Sequence, residues 1–374
     1  MYMHPFVITA DLTRSMEAAM NTARREKREP EPLDDNLKNQ DIVLDLVACI
    51  DPKMWKFSRR YVGALTTFYA VKAKTRKWLA DQKWLEQDWR KVASDVDLFA
   101  TETGTAGLSL DSVRNRHWTM GNEIISKFVS SRMSSEFVTL TGKFRVTFDH
   151  FVGGLCKGWL NDSPVDFCLE TMARIFGSCY VLSALTSVVG FPSSPSESTT
   201  ATKFVILPVN LKGSHWGIII AQLHYTESTD TLRVHPLLYE PLIDEVYHED
   251  MEVVWNGIKT GEQELVKKGL VDFVERWRQA STPSTQLHSN PIQWIQTPQQ
   301  PDFESCGVLV VAQVYSYITE NLQLQHCNVF KSDVQVMRLR MLWVILCSSR
   351  EQRIARATAD KTEGIEDKLN NELK

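Results

Sequence analysis

The sequence predicts an α+β domain preceded by a mainly helical extension, and three observations predict it. Short β-favouring runs, Phe137-Val138-Thr139-Leu140 and Phe144 to Phe148, sit between Thr-Gly punctuation. A longer apolar run, Trp216-Gly217-Ile218-Ile219-Ile220-Ala221, follows the turn-like Leu211-Lys212-Gly213-Ser214. Helical periodicity recurs between and after these runs, so strands and helices are mixed along the chain.

Taken in order, residues 1–40 read as a flexible leader, because charge and amide side chains dominate and Glu-Pro-Glu-Pro occupies 29–32. Residues 41–140 read as mainly helical and of unknown role, with a break near Asp51-Pro52. Within them Trp55, Trp78, Trp84 and Trp89 are interleaved with Lys72, Lys74, Arg76, Lys77 and Lys83. Such a stretch could meet nucleic acid, but indoles packing a helical core beneath a solvated basic face is the commoner arrangement and the one expected here. A domain boundary is expected near 140.

Residues 141–350 then carry helix 163–187, a Ser/Thr/Pro-rich loop 192–202, strand 203–209, a hairpin from 215 to 239, and helix 250–279. Strand 292–296 and helices 306–320 and 333–348 follow. The charged tail, 351–374, is expected as a frayed helical extension.

Composition narrows the chemistry only a little. The chain has 374 residues, 43% hydrophobic and 24% charged, with a formal net charge of -4. That balance gives no global drive toward nucleic acid or membranes. No apolar run spans a bilayer and no secretory core opens the sequence, so the nucleus or cytoplasm is expected and secretion is not. Seven cysteines, at 49, 156, 168, 179, 306, 327 and 347, show no C-x-x-C pairing and no zinc-finger spacing. Neither metal nor organic cofactor is expected.

One cysteine stands apart by its flanks. Thr297-Pro298-Gln299-Gln300-Pro301 and a short polar turn precede Cys306, and Gly307 opens an apolar run to Ile318. This places the thiol at the start of a buried helix, where free N–H groups and the helix dipole favour thiolate. A thiolate nucleophile needs a base that later protonates the leaving group, and His is suited to both tasks. Of nine histidines, His215 enters the rigid apolar strand directly; His117 also precedes a Trp but no such strand follows it.

The imidazole needs a carboxylate partner. Antiparallel pairing around the turn 226–231 sets opposite residues at numbers summing to about 457, which puts Glu240 across from Gly217 and within reach of His215. Asp244 is the alternative. Gln300, in a Pro-bounded loop returning to the nucleophile, could complete an oxyanion hole with the Cys306 backbone N–H.

In order and local sequence these residues resemble the ubiquitin-like-protein-specific proteases, the SUMO/sentrin-protease family. Trp159-Leu160-Asn161-Asp162 is similar to that family's motif at the mouth of its substrate tunnel, and His215-Trp216 to its catalytic His-Trp. Tyr239-Glu240-Pro241-Leu242 occupies the place of its Tyr-Asp-Ser-Leu, and Gln300 to Cys306-Gly307-Val308 matches its Gln-to-Cys segment. A weaker similarity is Met337-Arg338-Leu339-Arg340-Met341-Leu342. The resemblance covers about residues 144–348.

It implies a papain-related fold, with a central mixed sheet and flanking helices, and cleavage after the C-terminal Gly-Gly of a ubiquitin-like modifier, SUMO foremost. By the same resemblance Trp159 and Trp216 flank a tunnel that only glycine passes, and Asp162 contacts the modifier. Read from the residues alone, both indoles could equally be core fillers and Asp162 a helix N-cap. Two departures stand out: Glu240 replaces the usual Asp, as in adenovirus-type relatives of the clan, and Ser305 replaces the usual Asp before the nucleophile.

Other functions fit parts of this pattern. Acetyltransferases of the YopJ type resemble the clan and share the His–Glu–Cys order. A non-catalytic modifier-binding protein, or a protease-like domain within a mobile-element protein, would account for the Trp-rich extension.

Overall fold

The computed structural model describes residues 46–51, 55–58, 70, 73–99, 110–131, 135–154, 156–260 and 264–353. The leader 1–40 lies outside these residues, as does the tail beyond Arg353. Two units are distinguished, residues 1–75 with 362–374, and residues 76–361.

In the first unit, strand β1 (Leu46–Asp51) pairs antiparallel with β2 (Trp55–Ser58). This corrects the helical expectation at 46–51 and 55–58. The expected break coincides with the end of β1 at Asp51.

The second unit begins within a helical segment that it carries over 76–92 and that widens into a π turn at Trp84–Asp88. Trp78 and Trp89 are buried in it while Arg76, Lys77 and Lys83 are exposed. That is a packed helix with a solvated basic face. Trp78 stacks on Phe128 of the next helix, Leu110–Ser130, at 5.2 Å. Phe128 in turn meets Phe148, and Phe148 meets Phe137 and Phe151. Because one aromatic core runs through both sides of residue 140, no domain boundary falls there.

The core of this unit is a mixed six-stranded sheet. Strands β5 (Cys179–Val181), β6 (Phe204–Leu211), β7 (His215–Thr226) and β8 (Thr231–Tyr239) lie side by side, β5 parallel to β6 and the others antiparallel. On the far side of β8, β11 (Gln286–Ser289) and then β12 (Gln293–Ile295) pair with it in parallel. The expected α+β class, a central mixed sheet with flanking helices, is what the structure shows.

Alternation assigns the two faces. Ile218 and Ile220 of β7 join the core that contains helix α8 (Cys306–Ile318), whereas Ile219 and Ala221 join the core that contains helices α6 (Glu245–Asn256) and α7 (Leu270–Ser281). With both faces covered, β7 reads as a continuous apolar run. The helix α8 is buried over nearly all of its length, which is why it is apolar all round.

Three helical expectations are shortened by the chain itself. The helix predicted at 163–187 is α4, Asp162–Phe176, and ends where Gly177 takes φ 70°. The helix predicted at 250–279 divides into α6 and α7, with Gly257 at φ 76° closing the first and a small hairpin, Ile258–Thr260 with Glu264–Lys267, between them. Glycine takes these left-handed backbone angles without the Cβ clash that other residues pay. The tail expected as helix starts as a strand, Arg350–Arg353, paired with Ser135–Val138.

Candidate active site

The strand ends of the sheet gather four of the sequence-predicted residues. The β7–β8 ladder has the predicted register, with Ile218 opposite Tyr239 and Thr226 opposite Thr231. His215, Gly217 and Glu240 therefore share one face. Glu240 accepts a hydrogen bond from His215 Nε2 at 2.7 Å on its Oε2. Gly217 leaves this face clear: a Cβ there would lie 2.5 Å from the Met251 sulfur.

Glu240 is 1% exposed and fully engaged. The backbone N–H of Leu242 donates to Oε2 at 3.0 Å, and that of Asp244 donates to Oε1 at 2.5 Å. Asp244 itself caps α6, its Oδ1 accepting from the Val246 N–H at 2.9 Å. Its carboxylate is committed to the helix.

Cys306 is the first residue of α8 and 2% exposed. Its thiol lies close enough to His215 to act on the ring's pKa, while Nε2 of that ring is held by Glu240. Burial acts to lower the His215 pKa, but the hydrogen bonds and charges of Cys306 and Glu240 outweigh it and raise it to about 9. At neutral pH the imidazole is held as imidazolium beside the sulfur. Burial instead pushes the thiols of Cys156, Cys168, Cys179 and Cys347 up, which makes them poor nucleophiles.

Gln300 is delivered to the same end of the sheet. β12 runs beside β8, Tyr239 Oη donates to the Pro298 carbonyl at 2.5 Å, and the Gln300 N–H donates to the Pro241 carbonyl at 3.0 Å. The Gln300 amide oxygen is buried without a hydrogen-bond partner.

The two tryptophans behave differently. Trp216 is 3% exposed, donates from Nε1 to the Leu160 carbonyl at 2.8 Å, and packs on Gly307, where a Cβ would stand 3.1 Å from its ring. Trp159 is 56% exposed and donates from Nε1 to the Phe303 carbonyl at 2.8 Å. Trp216 is thus packed against the start of α8, and of the two only Trp159 presents its ring to solvent. Asn161, not Asp162, is the N-cap of α4; Asp162 is its first helical residue.

Sequence reasoning missed the part played by Arg338, marked only by a weak similarity in the last helix, α9 (Lys331–Cys347). Its buried guanidinium donates to the carbonyls of Gly154 at 3.0 Å, Gly158 at 2.8 Å and Glu304 at 3.2 Å. It joins the loop before Trp159 to the loop before Cys306. A buried Arg amid apolar helix residues was the available signal. Tyr239, as the anchor of Pro298, was missed as well.

Among the described residues no cluster of His, Cys, Asp and Glu is placed to hold a metal ion, and no helix is long and apolar enough to cross a membrane.

No protein-family model matches this sequence, and no curated protein matches it significantly. Solved structures do. The chain is similar to the C-terminal Ulp1 protease domain solved in complex with Smt3, the yeast ortholog of SUMO, at 14% identity and TM-score 0.37, covering 62% of this chain and 95% of that one. It is similar to a de-sumoylating protease at 14% identity and TM-score 0.39, covering 63% and 97%. The pS273R protease of ASFV is similar at 10% identity and TM-score 0.32, covering 65% and 86%.

Proposed function

We propose that this chain is a Ulp-type cysteine protease that cleaves after the C-terminal Gly-Gly of a ubiquitin-like modifier, with SUMO the first candidate. The observation that carries the reading is the imidazole of His215 held on Nε2 by the buried Glu240, with Cys306, at the start of α8, close enough to raise the ring's pKa. A triad so arranged supplies nucleophile, proton shuttle and charge partner in one line.

In this reading the Cys306 sulfur attacks the carbonyl carbon after Gly-Gly, and the oxygen gains the electron pair. The Cys306 N–H and the Gln300 side-chain amide donate to that oxyanion. Collapse breaks the C–N bond, the His215 imidazolium gives its proton to the leaving amine, and a thioester remains. The now neutral His215 takes a proton from water, whose oxygen attacks the thioester and frees the modifier's carboxylate and the thiol. Glu240 keeps its negative charge throughout and holds the imidazole in place.

Gly-Gly selectivity is supported by the narrowness of the approach. The exposed Trp159 ring stands over the nucleophile loop, Trp216 and Leu160 crowd Gly307, and a tail without Cβ atoms passes where others clash. Asp162, opening α4 just beyond this mouth, supplies a negative charge for a basic residue of the modifier. The modifier itself is the partner this reading requires.

The test is labelling by electrophilic Gly-Gly probes built on SUMO and on ubiquitin. Wild type should form a covalent adduct that Cys306→Ala abolishes. If neither probe labels the wild-type chain, the protease reading is wrong.

A further inference from the structure

The helix that opens with Cys306 turns its opposite side to a cavity. Val308, Val311, Ala312 and Tyr315 of α8 form one stripe at helical spacing, and at roughly 100° per residue Cys306 falls on the far side of the helix from it. A like stripe of α9, from Met337 to Val344, and one of α4, from Cys168 to Ile175, complete the walls of a space of about 330 Å³. Small-molecule sites typically occupy about 300–1,000 Å³. The walls are almost wholly apolar, and two of the side chains that line them, Ile175 and Phe176, are exposed to solvent. Water gains few partners in such a space, which favours an apolar occupant.

A polar recess adjoins the cavity, with Asp97, Arg116 and His117 in its lining, and Phe99, Tyr315 and Arg340 line both spaces. Two buried polar atoms there have no hydrogen-bond partner, Arg340 Nε and His117 Nε2. Leaving such atoms unpaired costs free energy that a bound group can recover. The Arg340 charge is already matched: Nη2 donates to Asp97 Oδ1 at 2.5 Å, and the guanidinium lies over the Phe99 ring at 5.3 Å. What Arg340 has left to give is one N–H donor. His117 is 2% exposed, and burial holds its pKa below the ordinary 6.5, so the ring is neutral at neutral pH. A neutral imidazole can offer Nε2 as an acceptor. An occupant that satisfies both atoms accepts one hydrogen bond and donates another. A hydroxyl does both, whereas a carboxylate only accepts and meets the Asp97 charge, and an ammonium only donates.

We propose that this cavity is a binding site for a small neutral alcohol, its apolar body held between α4, α8 and α9 and its hydroxyl bonded to Arg340 Nε–H and His117 Nε2. The site is separate from the chemistry assigned to Cys306 and needs no protease activity.

The test titrates octan-1-ol into the full chain with isotope-labelled methionine methyls, followed by NMR. Met120, Met172, Met337 and Met341 line the cavity, whereas Met251 belongs to the core on the other face of the sheet. Saturable shifts are expected at those four methyls and none at Met251. Octanoate and octylamine should bind at least about tenfold more weakly than octan-1-ol. Arg340→Lys keeps a cation for Asp97 but has no Nε–H, and His117→Phe has no acceptor; each should weaken octan-1-ol about tenfold, the scale of one hydrogen bond. Ala312→Phe fills the cavity and should abolish the shifts. Absence of saturable shifts in the wild type, octanoate or octylamine binding as tightly as octan-1-ol, or undiminished affinity in Arg340→Lys and His117→Phe would each overturn the proposal. The comparison of three ligands on the wild-type chain decides the matter even where a variant fails to fold.

Discussion

The two halves of the candidate site are built to different standards of completeness. On the strand side, Glu240 accepts from His215, Leu242 and Asp244, and Asp244 accepts from Val246, so the buried Glu240 carboxylate and the exposed Asp244 cap both carry fixed partners. On the loop side, 300–305, the Gln300 amide oxygen and the Ser305 hydroxyl are buried with no partner. A carboxylate that must stay charged out of water needs every lone pair engaged, and a short β-hairpin end supplies backbone donors at fixed positions. An unpartnered amide oxygen is an acceptor, so the donor that Gln300 offers is its NH2 group and not the buried oxygen. The difference is that the Glu240 carboxylate is fully bonded within the chain, whereas the 300–305 loop buries polar atoms without a partner.

The largest expected effect breaks the strand side. Glu240→Ala should lower kcat on a Gly-Gly substrate by about 10⁴, the scale seen when a triad carboxylate is lost. Asp244→Ala should cost about 1 kcal/mol of stability through the lost cap and change kcat less than tenfold. Steady-state kinetics and thermal denaturation separate the two, and a reversed order would transfer the carboxylate role to Asp244.

Next comes the loop side. Gln300→Ala should reduce kcat by about 10² to 10³ with KM little changed, since an oxyanion donor acts only in the transition state. A rise in KM alone would assign Gln300 to substrate binding.

A pH titration sharpens the comparison further. With the His215 pKa raised to about 9 from its ordinary 6.5, the imidazolium persists through neutral pH, and activity should fall as pH rises through about 9. The folding stability held by this raised pKa is complete below 6.5 and lost as pH climbs through 9. Glu240→Gln removes one of the groups that raise it, so both the alkaline activity limb and the stability loss should move to lower pH. Limbs that do not move would detach Glu240 from His215.

The smallest effect is expected at Ser305. Its hydroxyl is buried and unpartnered, so Ser305→Ala should leave stability within about 0.5 kcal/mol or raise it, read by chemical denaturation. A clear loss would reveal a bond that the loop makes in solution.

Much of the strand side was legible in the sequence, because local turn geometry fixes register. The turn 226–231 set Glu240 against Gly217, and the apolar run from Gly307 marked α8 with Cys306 at its head. Helix ends were less legible: Gly177 and Gly257 divide stretches whose apolar spacing continues past them. The hairpin of β1 and β2 hid within a Trp- and Lys-rich region that favours helix. Arg338 was illegible for another reason. It acts across more than one element, on loops about 180 residues earlier, and periodicity carries no record of such reach.

The parallel placement of β12 on β8 has a consequence for how this molecule comes into being. His215 and Glu240 belong to a hairpin of local contacts, able to form early in synthesis. Gln300 joins it only when β12 docks on a strand more than 50 residues upstream, and Cys306 follows still later on the chain. Closing such long loops is the slow part of folding. A chain emerging from a ribosome would therefore present the hairpin with His215 and Glu240 before Cys306 has been added.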